Sequence, residues 1–288
     1  MDNIIEVKNL CKNYKDFKLD NVSFSLERGY VMGFIGTNGA GKSTTIKAMM
    51  NLIKRNSGDI KLFGLDNIKD EVQIKDKIGF VYDENFYCEE LNIENMKALV
   101  KPFYSKWNED TFKKYLKLFD LDPKKKIRKL SKGMKTKFSL AIALSHEAEL
   151  IIMDEPTAGL DPVFRREILE ILHDLIEDEN KGIFFSTHIT SDLEKIADYI
   201  TFIENGKIVF SKSKEEIDDN YCMVRGNKGD IHRLDKSLLI GYKENAFGFE
   251  ALTKKKRVVN ELLGNSVIIE KASLEDIMVN YTREVRVR

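Results

Sequence analysis

The spacing of apolar positions along the chain alternates between short, fully apolar runs and longer stretches of helical periodicity. VMGFI (31–35), LIIM (150–153) and IFFS (183–186) are apolar at nearly every position, the pattern of strands buried on both faces. Residues 4–7, 22–26 and 58–63 read as strands in a turn-rich N-terminal part. TTIKAMMNLI follows VMGFI and a glycine-rich turn as an apolar helix. From about 90 to 129 the chain is lysine-rich, with Leu91, Ile93, Met96 and Leu99, then Phe112, Tyr115, Leu116 and Phe119, at helical spacing, which predicts a helical subdomain. A helix is predicted over 138–147. Another begins at Asp161, placed to cap it, with Pro162 at its first position and Phe164, Ile168, Ile171, Leu172 and Leu175 on one face. Ser191 and Glu194 fit a capping box, and Asn205-Gly206 fits a hairpin turn.

Short apolar strands alternating with helices indicate an α/β fold with a mostly parallel sheet. Beyond about residue 212 the pattern weakens, leaving a strand at 266–270 and a closing helix at 274–282. The predicted division is therefore a large domain over 1–211, with its helical subdomain at about 90–145, and a small C-terminal α+β appendage over 212–288.

Charge and cysteine usage narrow the function classes. Lys plus Arg and Asp plus Glu each total 47 in 288 residues, so no net field draws the chain toward nucleic acid or an anionic membrane. The basic clusters at 124–126 and 254–257 are expected to be solvated faces. Cys11, Cys88 and Cys222 lie far apart, without CxxC spacing, which argues against a disulfide framework or a zinc site and for a reducing compartment. The opening MDNIIEVKNL has no basic or apolar leader region, and no apolar run approaches the roughly 18 residues that span a bilayer.

The chemistry concentrates after the first buried strand. GTNGAGKS (36–43) fits G-x-x-x-x-G-K-[ST] between a strand and a helix. Glycines there let successive backbone N–H groups face phosphate oxygens, and the helix N-terminus adds partial positive charge. Lys42 reaches the β and γ phosphates, and Ser43 can ligate Mg²⁺. Gly36, Asn38, Gly39, Ala40, Gly41, Lys42, Ser43 and Thr44 are thus the candidate phosphate-binding residues. In LIIMDE (150–155) a buried strand delivers Asp154 as a metal ligand, and Glu155 beside it can orient or deprotonate an attacking water.

Over about residues 3–210 these motifs, in their order, resemble the ATP-binding subunits of ABC transporters. LSKGMK (130–135) looks like the family's signature, whose serine and glycine, here Ser131 and Gly133, bind the γ-phosphate of a nucleotide held by a facing protomer. Lys132 and Met134 replace the more usual glycine and glutamine. DEPTAGLDP continues the acidic strand into the D-loop with Asp161, STH supplies the switch histidine His188, and Tyr14 matches the aromatic that stacks on adenine. The resemblance implies a P-loop NTPase of ABC type with an antiparallel N-terminal β part, and ATP with Mg²⁺ as ligands. It also implies a head-to-tail dimer, either a homodimer or one with a related subunit, closing on two ATP. As partner it implies a separate membrane permease holding the chain on the cytoplasmic face. The SKGM-type signature and the ending ASLEDIMVNYTRE resemble a bacterial branch whose permeases often act as exporters. The alternative, a soluble ABC ATPase acting on ribosomes or nucleic acid, fits less well: there is one P-loop, no long heptad coiled coil and zero net charge. A regulator that binds without hydrolysing is opposed by Glu155.

One stretch departs from the resemblance. IGFVYD (78–83) occupies the place of a strand that in the family ends in a metal-binding glutamine, yet its residue there is Asp83, and the only glutamine, Gln73, lies ten residues too early. Asp83 is a candidate Mg²⁺ ligand, Glu84 a solvent-facing residue.

Overall fold

The computed structural model describes residues 3–83 and 86–287. Glu84 therefore lies outside the described residues. Two compact units, Met1–Ser211 and Lys212–Arg288, divide the chain.

The first unit opens with β1 (Asn3–Asn13) and β2 (Lys18–Glu27), which pair antiparallel. β3 (Val31–Ile35) and helix α1 (Lys42–Met49) follow, then β4 (Ser57–Leu62) and β5 (Leu65–Asp66), which complete an antiparallel sheet of order β2-β1-β4-β5. Next come α2 (Glu71–Asp76) and β6 (Ile78–Val81), the helices α3 (Ile93–Val100), α4 (Glu109–Leu118) and α5 (Lys132–Ala143), and then β7 (Leu150–Asp154). The unit closes with α6 (Pro162–Ile176), β8 (Gly182–Thr187), α7 (Thr190–Ile196), β9 (Tyr199–Glu204) and β10 (Lys207–Ser213).

The second sheet has the order β10-β9-β3-β8-β7-β6, and the pairs β9/β3, β3/β8, β8/β7 and β7/β6 are parallel. Every residue of β3, β7 and β8 is buried, because both faces of this sheet are covered. On one face the antiparallel sheet and α1 pack Ile4, Val7, Phe24 and Ile46 against Phe34, Ile152 and Phe184. Phe24, Phe34 and Phe184 meet with ring centres 5.2–5.6 Å apart. Truncating any one of these rings to alanine is expected to cost about 3–5 kcal/mol. The other face is covered by α5 over β6, α6 over β8 and α7 over β3. Five parallel strands, β3, β8, β7 and β6 among them, place their carboxyl ends along one edge, where open α/β sheets bind ligands.

The helical subdomain buries Phe112, Leu116, Phe119 and Phe138. Leu99, predicted on the apolar face, is 56% exposed. Two predicted boundaries change. α5 covers Lys132–Ala143, not 138–147: Ser131 caps it by accepting from the Met134 amide at 3.2 Å, and Glu147 at φ +53 lies in left-handed backbone that no helix continues through. The predicted Ser191/Glu194 capping box is absent, for both residues lie inside α7, whose cap position is Ile189. Past the end of α5, buried His146 sets its two ring nitrogens 3.0 and 3.1 Å from the carbonyls of Ile142 and Ile78, tying that helix to β6; burial pushes its pKa down.

The second unit holds α8 (Lys214–Asn220), β11 (Cys222–Gly226), α9 (Lys228–Ile231), β12 (Ile240–Glu244), β13 (Phe249–Thr253), α10 (Lys256–Leu263), β14 (Val267–Lys271) and α11 (Leu274–Val287). Its sheet is antiparallel, order β12-β13-β11-β14, so three strands stand where the pattern predicted only the last. Val224, Phe249, Ala251, Val259 and Leu263 form its core. Lys254, expected on a solvated face, stands over the rings of Tyr221 and Tyr281 at 4.9 and 5.6 Å, a geometry that favours a cation.

Candidate active site

At two of its glycines the loop between β3 and α1 packs too closely against its neighbours to admit a side chain. A Cβ on Gly36 would stand 2.4 Å from the Ile203 carbonyl oxygen. Gly41 has φ +116, and a Cβ on it would meet Leu19 at 2.6 Å. Amides in the first turn of a helix have no acceptor within that helix, so the backbone of Lys42, Ser43 and Thr44 has hydrogen-bonding capacity to spare. A cleft of about 690 Å³ opens there. Asn38, Gly39, Gly41, Lys42, Ser43 and Thr44 line it, and so do Asp83, Glu155 and His188 from the ends of β6, β7 and β8. Ala40 is buried behind the loop and bonds its own fold, its amide donating to the Thr37 carbonyl at 3.1 Å.

Lys42 is 6% exposed. Its Nζ donates to the carbonyls of Gly36 (2.8 Å) and Thr37 (3.3 Å) and lies 3.1 Å from Glu155 Oε1. The other Glu155 oxygen stands 2.7 Å from Nδ1 of His188 and accepts from the His188 amide at 3.3 Å. An ionised carboxylate only accepts, so Nδ1 carries the hydrogen of that contact. Glu155 has φ +50, left-handed backbone of the kind stored at functional sites; its amide donates to the Ser186 carbonyl at 3.0 Å. Asp154 lies level with Ser186 of β8 and accepts from that hydroxyl at 2.6 Å, and also from the Ser43 hydroxyl. Burial pushes its carboxyl above the ordinary aspartate range, against the opposing pull of the two hydroxyls.

Ser43 and Asp154 together offer a hydroxyl and a carboxylate oxygen, the hard donors that Mg²⁺ takes alongside substrate phosphates. Among the described residues no cluster of three His, Cys, Asp or Glu side chains could hold a metal ion. Asp83, on the cleft wall, is engaged with another side chain: its Oδ1 is 2.6 Å from Nζ of Lys132. Two of the positions that depart from the family pattern, Asp83 and Lys132, are thus paired with each other.

Ser131, Gly133, Asp161 and Tyr14 are not among the described residues lining the cleft. Ser131 is exposed at the start of α5. Asp161 caps α6, accepting from the amides of Val163 and Phe164 at 3.1 and 3.0 Å. Tyr14 is 48% exposed and lines a neighbouring recess that shares Asp16 and Phe17 with the cleft. Phe17, which the sequence reading passed over in KNYKDF, therefore reaches the cleft wall where Tyr14 does not. The second aromatic in that short segment was the available signal.

Comparison with known proteins agrees with this arrangement. The family model described as ABC transporter matches residues 19–158. The bacitracin transport ATP-binding protein BcrA of Bacillus licheniformis is 35% identical over 232 residues, covering 79% of this chain and 74% of that protein. The chain belongs to the ABC transporter ATP-binding proteins. The lantibiotic transport ATP-binding protein SrtF of Streptococcus pyogenes is 35% identical over 73% of this chain and 90% of its own length. Among solved structures, an ATP-binding subunit of an ABC transporter aligns with a TM-score of 0.68 at 29% identity, over 74% of this chain and 91% of that one. As an ABC ATPase, the chain has the family's P-loop fold, with parallel and antiparallel sheets and a helical part. Among the described residues no helix is long and apolar enough to cross a membrane.

Proposed function

We propose that this ABC transporter ATP-binding subunit hydrolyses ATP as a head-to-tail dimer and thereby drives a separate membrane permease, with export of its cargo from the cytoplasm. One observation carries the reading. Phosphate loop, Glu155 and His188 line a single cleft, whereas Ser131 is exposed and outside it, which supports a signature serine supplied by a second copy or a related subunit.

The residues perform the chemistry as follows. The loop at 36–43 binds the polyphosphate through its backbone. Lys42 exchanges its carbonyl and Glu155 contacts for the β and γ phosphates, and Glu155, still held by His188, receives the proton of the attacking water. His188 lines the cleft beside Glu155, which supports a contact with the γ-phosphate. Ser43 and Asp154, and Asp83 once it leaves Lys132, would hold Mg²⁺, which when bound neutralises phosphate charge. Ser131 and Gly133 close over the nucleotide of the facing protomer, with Asp161 at the joint and Tyr14 beside the base. ATP acts as the glue of the dimer and hydrolysis releases it. The names of BcrA and SrtF, bacitracin and lantibiotic transport, support a cargo of the antibiotic-peptide kind.

Glu155→Gln tests this reading. It is expected to bind ATP and to accumulate as a dimer in light-scattering chromatography with ATP and Mg²⁺, reverting to monomer with ADP. A protein that stays monomeric with ATP refutes the dimer mechanism.

A further inference from the structure

Asp192 is fully buried in the first turn of α7, four residues past His188. Its two carboxylate oxygens are taken by two different segments. Oδ2 accepts from the Thr157 hydroxyl at 2.8 Å, and Oδ1 from Nε of Arg165 at 2.6 Å. Thr157 is itself 1% exposed and lies two residues past Glu155, where the loop winds on through Ala158 N–H to Glu155 carbonyl (3.2 Å) and Leu160 N–H to Thr157 carbonyl (3.3 Å). Arg165 belongs to the start of α6, its amide bonded to the Asp161 carbonyl at 3.0 Å, and its second guanidinium arm donates to Ser191 Oγ at 3.0 Å. Thr157, Arg165 and Asp192 are not among the described residues lining the cleft.

A carboxylate is costly to bury unless its charge is compensated and its oxygens bonded. Here the compensating cation comes from the helix that Asp161 caps, and the second bond from the loop that carries Glu155. Three segments that the sequence separates by up to 37 residues (155 to 192) therefore meet on one side chain. The contact also has a direction. The Arg165 fork fixes where the start of α6 lies relative to α7, and the Thr157 hydroxyl fixes where the Glu155 turn lies relative to the same point.

We propose that Asp192 is a positioning residue for hydrolysis: it holds the Glu155 turn and the His188 turn in register with the Asp161 loop through Thr157 and Arg165. The inference rests on the ATPase reading above. A second copy pressing on the Asp161 loop moves the start of α6, and the movement passes through Arg165 and Asp192 to Thr157 and to the first turn of α7. The Glu155–His188 contact, made at 2.7 Å, thus answers to the position of the Asp161 loop.

Thr157→Val tests the link with least disturbance, because it removes one hydroxyl and keeps the volume, and Thr157→Ser restores the hydroxyl. The assay is steady-state ATP turnover by the full-length protein well below its melting temperature, with Lys42→Ala as the blank. Thr157→Val is expected to lower kcat by about 10- to 100-fold, the scale of a misplaced catalytic group, with KM for ATP within about twofold. Thr157→Ser returns kcat to within about twofold of wild type. Asp192→Asn, if it folds by circular dichroism, shows the same split between kcat and KM. Unchanged kcat in Thr157→Val, a loss that only tracks the unfolded fraction, or failure of Thr157→Ser to rescue would each overturn the proposal while leaving the ATPase reading intact. A wild-type protein with no turnover above the Lys42→Ala blank overturns both.

Discussion

Glu155→Gln should tighten nucleotide binding as well as stop turnover, and the size of the gain follows from the cleft. Lys42 Nζ is 3.1 Å from Glu155, both side chains are nearly buried at 6% and 12% exposure, and the lysine has to leave this partner to meet phosphate. A hydrogen bond to a charged group is worth about 1.5–3 kcal/mol, and a neutral amide oxygen in its place keeps about 1 kcal/mol of it. The difference, about 0.5–2 kcal/mol, no longer opposes binding, so affinity rises about 2- to 30-fold. The same loss should lower the melting temperature of the nucleotide-free variant by about 1–8 °C, at roughly 2–4 °C per kcal/mol for a domain of this size. Both quantities can be read on one preparation. Calorimetric titration with a non-hydrolysable ATP analogue and Mg²⁺, at a protein concentration too low for dimers, gives the affinity; a thermal melt without nucleotide gives the stability. Equal or weaker affinity in the variant would refute the idea that Glu155 competes with phosphate for Lys42.

Ser131→Ala should leave nucleotide affinity within about twofold yet slow turnover by about 10²-fold or more, as loss of one phosphate-side donor does. Because Ser131 also caps α5, its melting temperature should fall by an amount corresponding to about 1 kcal/mol; unchanged turnover would remove its role. Asp83→Gln should make nucleotide binding less dependent on Mg²⁺, since the neutral amide does not repel phosphate when the metal is absent, and identical magnesium titrations would exclude Asp83 from the site. Glu109 accepts from Lys97 at 2.7 Å, and that ammonium holds its carboxyl down at about 2. A depressed carboxyl contributes stability above its unfolded pKa, and the contribution is lost as pH falls from about 4.5 toward 2. Glu109→Gln should therefore flatten the acid unfolding curve in that window. Trp107, whose indole N–H donates to Glu109 at 3.1 Å, is the chain's one tryptophan and supplies the fluorescence readout.

Much of the fold is legible from local rules. Strands buried on both faces must be apolar at consecutive positions, and β3, β7 and β8 are. Asp161-Pro162 is a helix start in the sequence and in the structure. Local rules also mislead where two of them compete. The segment at 190–194 offers both a capping box and helix-forming residues, and the tertiary demand on Asp192 draws Thr190 and Ser191 into the helix. In the second unit β11 to β13 are short and carry Arg, Lys, Gly and Glu, so their period-2 signal is too weak to read without the pairing that makes them strands.

The candidate site divides the same way. The glycine loop, Lys42, Ser43, Asp154 and Glu155 are contiguous motifs, and contiguous residues are brought together by the chain itself. The order β3-β8-β7-β6 is not written locally, and it is this order that brings His188 and Asp83 to the edge where the phosphate loop and Glu155 lie. Sequence alone thus determined which side chains are available: a glycine-rich loop ending in Lys42 and Ser43, an acidic strand end at Asp154 and Glu155, and His188 and Ser131. Tertiary structure decided who meets whom, pairing Asp83 with Lys132, Lys42 with Glu155, and Asp192 with both Thr157 and Arg165. The physical reason is that a propensity or a cap depends on neighbours within a turn or two, whereas an ion pair or a buried hydrogen bond between distant segments exists only once parallel strands have fixed their ends in space.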